Sequence, residues 1–253
     1  MKKVVLTSII FGSMLYAVEI VNLNQAVNLA GKQRMYTQRM LKDYAMVGMN
    51  NTFGNPGEDL NQTIADFEDH LVSLISYNQD EKTAKALQEV NAKWKDIKKN
   101  LTAKPKKENA EKLQVMLDEL LKLADNATNA FANQTGQKSG EIINISGRQR
   151  MLSQRMAGLY MLKVWGIEDP QFRQKLDDSM KLFKESLEKL EKYEGNTKEI
   201  NELLAKVKRS FRFFEMMNKS SNRFIPTLIY KKSNDILRDM NEVTIKYTEL
   251  KTK

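Results

Sequence analysis

Cysteine is absent from the 253 residues, and histidine occurs once, at His70. The first absence removes disulfides, thiolate metal sites, cysteine nucleophiles, covalent c-type haem and a lipoprotein anchor. The second removes most histidine-based catalysis and any multi-histidine metal site. Only four prolines and 11 glycines interrupt a chain rich in Leu, Lys, Glu, Ala and Met, which points to helices rather than a sandwich or barrel. The hydrophobic set makes up 41% and charged residues 29%, enough to build a core and too apolar for a disordered chain.

Long apolar runs are equally scarce. The single one, Val4 to Tyr16, follows the basic start Met1-Lys2-Lys3 and ends at Ala17 and Glu19. Its length suits the apolar region of a signal peptide and falls short of the ~20 residues that span a bilayer. Residues 1–17 are therefore expected to be a cleaved signal peptide, with an uncleaved anchor as the rival reading. Export to a bacterial periplasm follows. Cleavage would lower the formal charge from +9 to about +7 by removing two lysines. The remaining lysines are interleaved with glutamates along helix faces, so the charge reads as a solvated surface and nucleic acid is not an expected partner.

What the chain does contain is a duplication. Asn28-Leu-Ala-Gly-Lys-Gln-Arg-Met-Tyr-Thr-Gln-Arg-Met40 returns as Asn144-Ile-Ser-Gly-Arg-Gln-Arg-Met-Leu-Ser-Gln-Arg-Met156, with eight of 13 pairs identical. The same offset of 116 pairs Tyr44 with Tyr160, Phe67 with Phe183 and Tyr77 with Tyr193. Pro56 and Pro170 follow the motif in each half, and Pro105 and Pro226 mark a later break. Asn78-Gln79-Asp80 and Gly195-Asn196 supply the breaks between. Each half thus reads as four helices: about 20–50, 58–77, 80–101 and 107–134, then about 140–166, 169–193, 196–219 and 226–250. The expected fold is all-α, two tandem up-down four-helix bundles over 18–137 and 138–253. A turn near Gly136 and Gly140 would set the bundles side by side, with their first helices parallel. One long helix over 107–166 would instead stack them end to end. The first arrangement is preferred.

On a helix, Val27, Arg34 and Leu41 recur every seven residues, as do Ile143, Arg150 and Ala157. Ala30 and Thr37, with Ser146 and Ser153, complete the stripe; Gly31 and Gln38, or Gly147 and Gln154, lie at its margin. An arginine therefore sits in a seam of small and apolar residues that should face another helix. Leaving it unpaired there would cost several kcal/mol. Either a carboxylate from a neighbouring helix pairs with each arginine, or the two arginines meet across a pseudo-two-fold axis and share a small planar anion. Forked guanidinium groups suit a trigonal oxyanion. No carboxylate lies between Ile20 and Lys42 or between Asn144 and Ile167, which favours an external anion. Arg39 and Arg155 point elsewhere and should pair with acids of their own bundles or cap a groove; Gln33 and Gln149 should bond between helices.

The phrase Gly147-Arg-Gln-Arg-Met-Leu-Ser-Gln-Arg-Met156 resembles the signature of the PilJ-like domains of type IV pilus chemoreceptors, and is similar to the P-box of the nitrate/nitrite sensor kinases NarX and NarQ. The first copy, Gly31 to Met40, differs at Lys32 and Tyr36. The resemblance implies a periplasmic four-helix bundle that dimerises through its first helix, and carries the anion-binding role of the sensors' arginine to Arg34 and Arg150. Family receptors have membrane helices and a cytoplasmic signalling region, which this sequence does not show. Its two copies would make one chain a built-in dimer.

The leading expectation is a periplasmic binding or sensory protein for nitrate or nitrite, with Arg34, Arg150, Gly31, Gly147, Gln38 and Gln154 at the site. It would act through a membrane sensor, receptor or reductase component. A purely structural helical protein is the second reading. Copper held by methionines such as Met35, Met40, Met46 and Met49 is the third, although methionine at helical spacing is usually core filling. Near the motif there are neither paired carboxylates nor a nucleophile with its base, so neither an enzyme nor a cofactor is expected. His70 reads as a surface or boundary residue, and Trp94 and Trp165 as packing residues.

Overall fold

The structure, a computed structural model, describes residues 18–135, 138–219 and 225–250, apart from the side chains at 138, 139, 218 and 219. The expected signal peptide and Gly136 lie outside the described residues. Eight helices follow one another: α1 (Leu23–Gly48), α2 (Pro56–Tyr77), α3 (Glu81–Thr102), α4 (Lys107–Gln134), α5 (Lys138–Val164), α6 (Phe172–Glu191), α7 (Lys198–Lys219) and α8 (Pro226–Glu249). No described residue is in a strand.

Local chemistry sets the helix starts. The Asn22 side chain accepts a hydrogen bond from the Gln25 amide at 2.9 Å, and Asp80 caps α3 through the Thr83 amide at 2.8 Å. Pro56 and Pro226 stand in the first turn of α2 and α8, where a missing N–H costs nothing. Pro170 behaves differently. It lies in a turn, and α6 begins only at Phe172, later than the expected 169.

Within the first half α1 packs on α2 and α4, and α3 on α4; the second half repeats this with α5 on α6 and α8, and α7 on α8. Two four-helix bundles result. The repeated tyrosines do the same job in each: Tyr44 Oη accepts the Lys106 amide at 3.2 Å, and Tyr160 Oη accepts the Ile225 amide at 2.8 Å, so each ties its first helix to the start of its fourth. Aromatic pairs fill the cores, with Phe67 and Trp94 centroids 4.4 Å apart and Phe183 and Phe211 4.5 Å apart.

The bundles lie side by side, as preferred from the sequence. Helix α4 ends before the turn at Thr135 rather than running into α5, and Gly140 fits against Thr135 where a Cβ would collide at 2.2 Å. The two first helices form the seam, α1 on α5. They are parallel and in register: Gly31 meets Gly147, and a Cβ on either would lie 3.9 Å from the other's Cα. Flanked by α2, α4 and α5, α1 buries 18 of its 26 residues, Arg34, Lys42 and Asp43 among them. A helix carrying several buried polar and charged side chains therefore lies at the centre of the molecule.

Candidate functional site

Arg34 and Arg150 come together over the Gly31–Gly147 contact, both fully buried. A Cβ on Gly31 would sit 3.2 Å from Arg150 Nη2 and 3.4 Å from Arg34 Nη2; on Gly147 it would sit 3.1 Å and 3.3 Å from the same two atoms. The bare glycines thus make the floor that two guanidinium groups share. Each Nη2 reaches across the seam to a main-chain carbonyl: Arg34 donates to Asn144 and Arg150 to Asn28, both at 3.2 Å. Each Nη1 turns back into its own bundle. Arg34 meets Asp125 Oδ1 on α4 at 2.6 Å, and Arg150 meets Asn241 Oδ1 on α8 at 2.8 Å. The Nε of both arginines is buried without a hydrogen-bond partner, as are Asn28 Oδ1 and Asn144 Oδ1.

The carboxylate partner, the less favoured of the two readings, thus exists for Arg34 and not for Arg150. Burial, reinforced by the Arg34 charge, pushes the Arg150 guanidinium down to about 9. It remains charged at neutral pH, at a cost in solvation that no acid offsets. Burial lowers Arg34 as well, but there the charge and hydrogen bond of Asp125 oppose it. Burial of Asp125 works to raise its pKa, yet the Arg34 charge and hydrogen bond hold it below the usual carboxylate value.

Gln38 and Gln154, expected at the same site, make no hydrogen bond to either arginine of this layer. Gln38 donates to Thr37 Oγ1 at 3.2 Å and accepts from Arg155 at 3.3 Å. Gln154 donates to the Ser233 carbonyl at 3.0 Å and accepts from Lys42 Nζ at 2.9 Å. One turn further along the helix than each arginine, their amides are committed to a second polar layer. Lys42, fully buried, is its centre: it also donates to Asn234 at 2.6 Å, lies 3.5 Å from Asp43 and sits over the Tyr230 ring at 4.1 Å. Burial pushes Lys42 down to about 8 and Asp43 up to about 6. The repeat makes Gly158 the counterpart of Lys42, and a Cβ there would meet the Lys42 amide nitrogen at 3.5 Å, an ordinary contact.

The second motif arginines divide. Arg39 pairs within its own bundle, with Asp59 on α2 at 2.9 Å, as expected. Arg155 does not: it crosses to Asp118 on α4 of the other bundle, at 2.5 Å and 3.2 Å. The repeat explains the difference. The counterpart of Asp59 is Lys175 and that of Asp118 is Asn234, so each arginine turns to whichever side holds the acid. Gln33 and Gln149 bond between helices as expected, to the Phe67 and Phe183 carbonyls at 3.1 Å.

Four polar groups at the site were not read from the sequence: Lys32, Arg148, Asp125 and Asn241. Lys32 and Arg148 follow the motif glycine in both copies, a repeated basic position that could have signalled them. Arg148 reaches Asp125 at 3.7 Å, and the charge of Arg150 helps lower the Lys32 pKa, after burial. His70 is buried at 8% exposure rather than at the surface, with Nδ1 3.2 Å from Tyr36 Oη. Met35, Met40 and Met46 are core residues, and Trp94 is buried in packing contact with Phe67. Among the described residues no group of three His, Cys, Asp or Glu is placed to hold a metal. A cavity of about 940 Å³ lies away from the arginines, at the end of the second bundle, lined by Met156, Phe172, Met180 and Phe214 among others.

No curated protein and no solved structure matches the chain. A protein family does, twice: the type IV pili methyl-accepting chemotaxis transducer N-terminal family, PilJ, matches residues 19–120 and 131–216. It is a sensory, signal-transduction family rather than one of enzymes. No described helix is long and apolar enough to cross a membrane. With one match on each copy of the duplicated bundle and most of the sequence covered, the chain belongs to the PilJ family.

Proposed function

We propose that this protein is a periplasmic sensory module that binds a small oxyanion, nitrate or nitrite first, between Arg34 and Arg150. It would be exported by residues 1–17 and act through a membrane sensor, receptor or reductase component. The observation that carries the reading is the pair of fully buried guanidinium groups of which only Arg34 has a carboxylate partner, while each keeps an Nε–H without a partner. Such an arrangement is costly for the protein alone and favourable once an anion joins it. The likeness of both motif copies to the P-box of nitrate/nitrite sensor kinases supports the choice of ligand. Because α1 and α5 come from different bundles, an anion gripped by both would favour one relative placement of the bundles, and a partner could read it.

Calorimetric titration with nitrate, nitrite, sulfate and phosphate tests the reading. Heat with nitrate or nitrite supports it; no heat with any of the four at micromolar sensitivity overturns it. Asp125 gives the structural reading one observation of its own, since it satisfies Arg34 as an internal ion pair. Arg150→Gln separates the two. If the arginines only tie helices together, the variant loses stability. If they bind an anion, the variant is at least as stable in anion-free buffer, because an uncompensated buried charge has gone, and nitrate no longer raises its melting temperature.

A further inference from the structure

The offset of 116 carries Asp125 of α4 onto Asn241 of α8. The two residues hold the same place relative to the motif arginine of their own bundle, at 2.6 Å and 2.8 Å from its Nη1. The shape is conserved between the halves and the charge is not. The layer therefore contains two fully buried guanidinium groups and one carboxylate at its edge, the Asp125 side chain being about one-third exposed. The other cations nearby are partly exposed: Arg148 approaches Asp125 at 3.7 Å, and the charge of Asp66 acts on Lys32. Water and salt screen that outer pair far more than the inner one. One positive charge is left over, and it falls on the Arg150 side, where Asn241 offers an amide oxygen in place of a carboxylate.

Resting on the anion-binding reading, we propose that Asp125 is a built-in counter-ion that sets the charge of the ligand, and that Asn241 is the position that keeps the second half-site open. The crevice then takes one monovalent anion per chain. A divalent anion would over-neutralise the layer and bury a net negative charge beside Asp125, which costs solvation that the two arginines cannot return. The duplicated chain can do this because its halves diverge independently. Two identical protomers would place either two carboxylates or none at the shared axis.

The test is titration of the protein and two variants with sodium nitrate and sodium sulfate in oxyanion-free buffer. The wild type should bind nitrate at one site, at least about tenfold more tightly than sulfate. Asn241→Asp installs the second counter-ion, so nitrate affinity should fall by at least about tenfold while the melting temperature without anion stays the same or rises. Asp125→Asn should shift the preference toward sulfate by at least about tenfold. Should Asp125→Asn fail to fold for lack of its ion pair, Asn241→Asp decides alone. Nitrate binding to Asn241→Asp with wild-type affinity, or a wild type that takes sulfate as well as nitrate, overturns this inference and leaves the anion site standing. A wild type that binds neither overturns both.

Discussion

An alanine methyl at residue 31 would press on Arg150 Nη2 at 3.2 Å and Arg34 Nη2 at 3.4 Å, while one at residue 158 would meet Gln38, Lys42 and Leu41 at 3.5–3.6 Å, ordinary contact distance. Both glycines lie inside helices, where alanine gains about 0.5–1 kcal/mol from propensity alone. Gly158→Ala should therefore raise stability by an amount of that order. Gly31→Ala should return little or none of it and should displace the guanidinium groups, weakening nitrate binding by at least about tenfold. Denaturant unfolding and calorimetry of the two variants check this, and equal nitrate affinity in both would refute it. His70 supplies a second prediction at this scale. Burial, with Lys32 adding to it, pushes its pKa down to about 4 from an ordinary 6.5. Between those values the unfolded chain holds more protons than the folded one, so stability is lost as the pH falls from 6.5 to 4, by about 2–3 kcal/mol. His70→Gln should flatten that acid limb. Asp43, pushed up to about 6 by burial, contributes an opposite slope in both proteins and cancels in the difference. Urea midpoints at pH 4.5 and 7 read the result.

Helices α1 and α5 are joined at more than the arginine layer. Near their C-terminal ends Trp165 lies over Gly48 so closely that a Cβ there would meet the ring at 2.2 Å, and Tyr44 meets the same indole edge-on at 6.1 Å. Gly48→Ala should force the indole outward, cost about 1–3 kcal/mol and change the Trp165 fluorescence. An unchanged emission spectrum and melting temperature would show that the contact does not fasten the helix ends. The elements themselves were legible in the sequence because turn residues and apolar spacing are local signals. The eight helices follow from those signals, the preferred parallel seam from the break between the halves, and the meeting of Arg34 with Arg150, one of two readings, and the bonds of Gln33 and Gln149 from a 13-residue phrase read on a helix. The partners of charged groups were not legible. Whether Arg155 turns to α4 or α6, or which acid reaches Arg34, depends on residues some 37 and 91 positions away in sequence. The repeat did hold a clue: Asp59, Asp118 and Asp125 become Lys175, Asn234 and Asn241 at the offset, and each loss of an acid redirects an arginine or leaves it uncompensated.

The whole molecule behaves as a dimer whose subunits have been joined end to end. The connection from α4 to α5 is brief, and what holds the bundles together is the seam, where the arginine layer, the Lys42 layer and the Arg155–Asp118 pair all cross from one half to the other. A chain divided at residues 136–137 would leave α1 and α5 each with an open face carrying a buried arginine. Neither half could leave that face in water without exposing Val27, Leu41, Ile143 and Ala157, which the seam now covers. The two halves, produced together, should therefore recover a one-to-one complex, and anion linkage gives that complex a signature. A ligand that binds only the assembled crevice must tighten the association by the factor that its own occupancy dictates, about a hundredfold at 100 times its dissociation constant. Sedimentation of the mixed halves in nitrate-free and nitrate-containing buffer measures this directly. Association that strengthens with nitrate and not with sulfate would locate the anion between the bundles. Association indifferent to both would mean that any anion bound by the intact chain sits within one bundle and not at the seam.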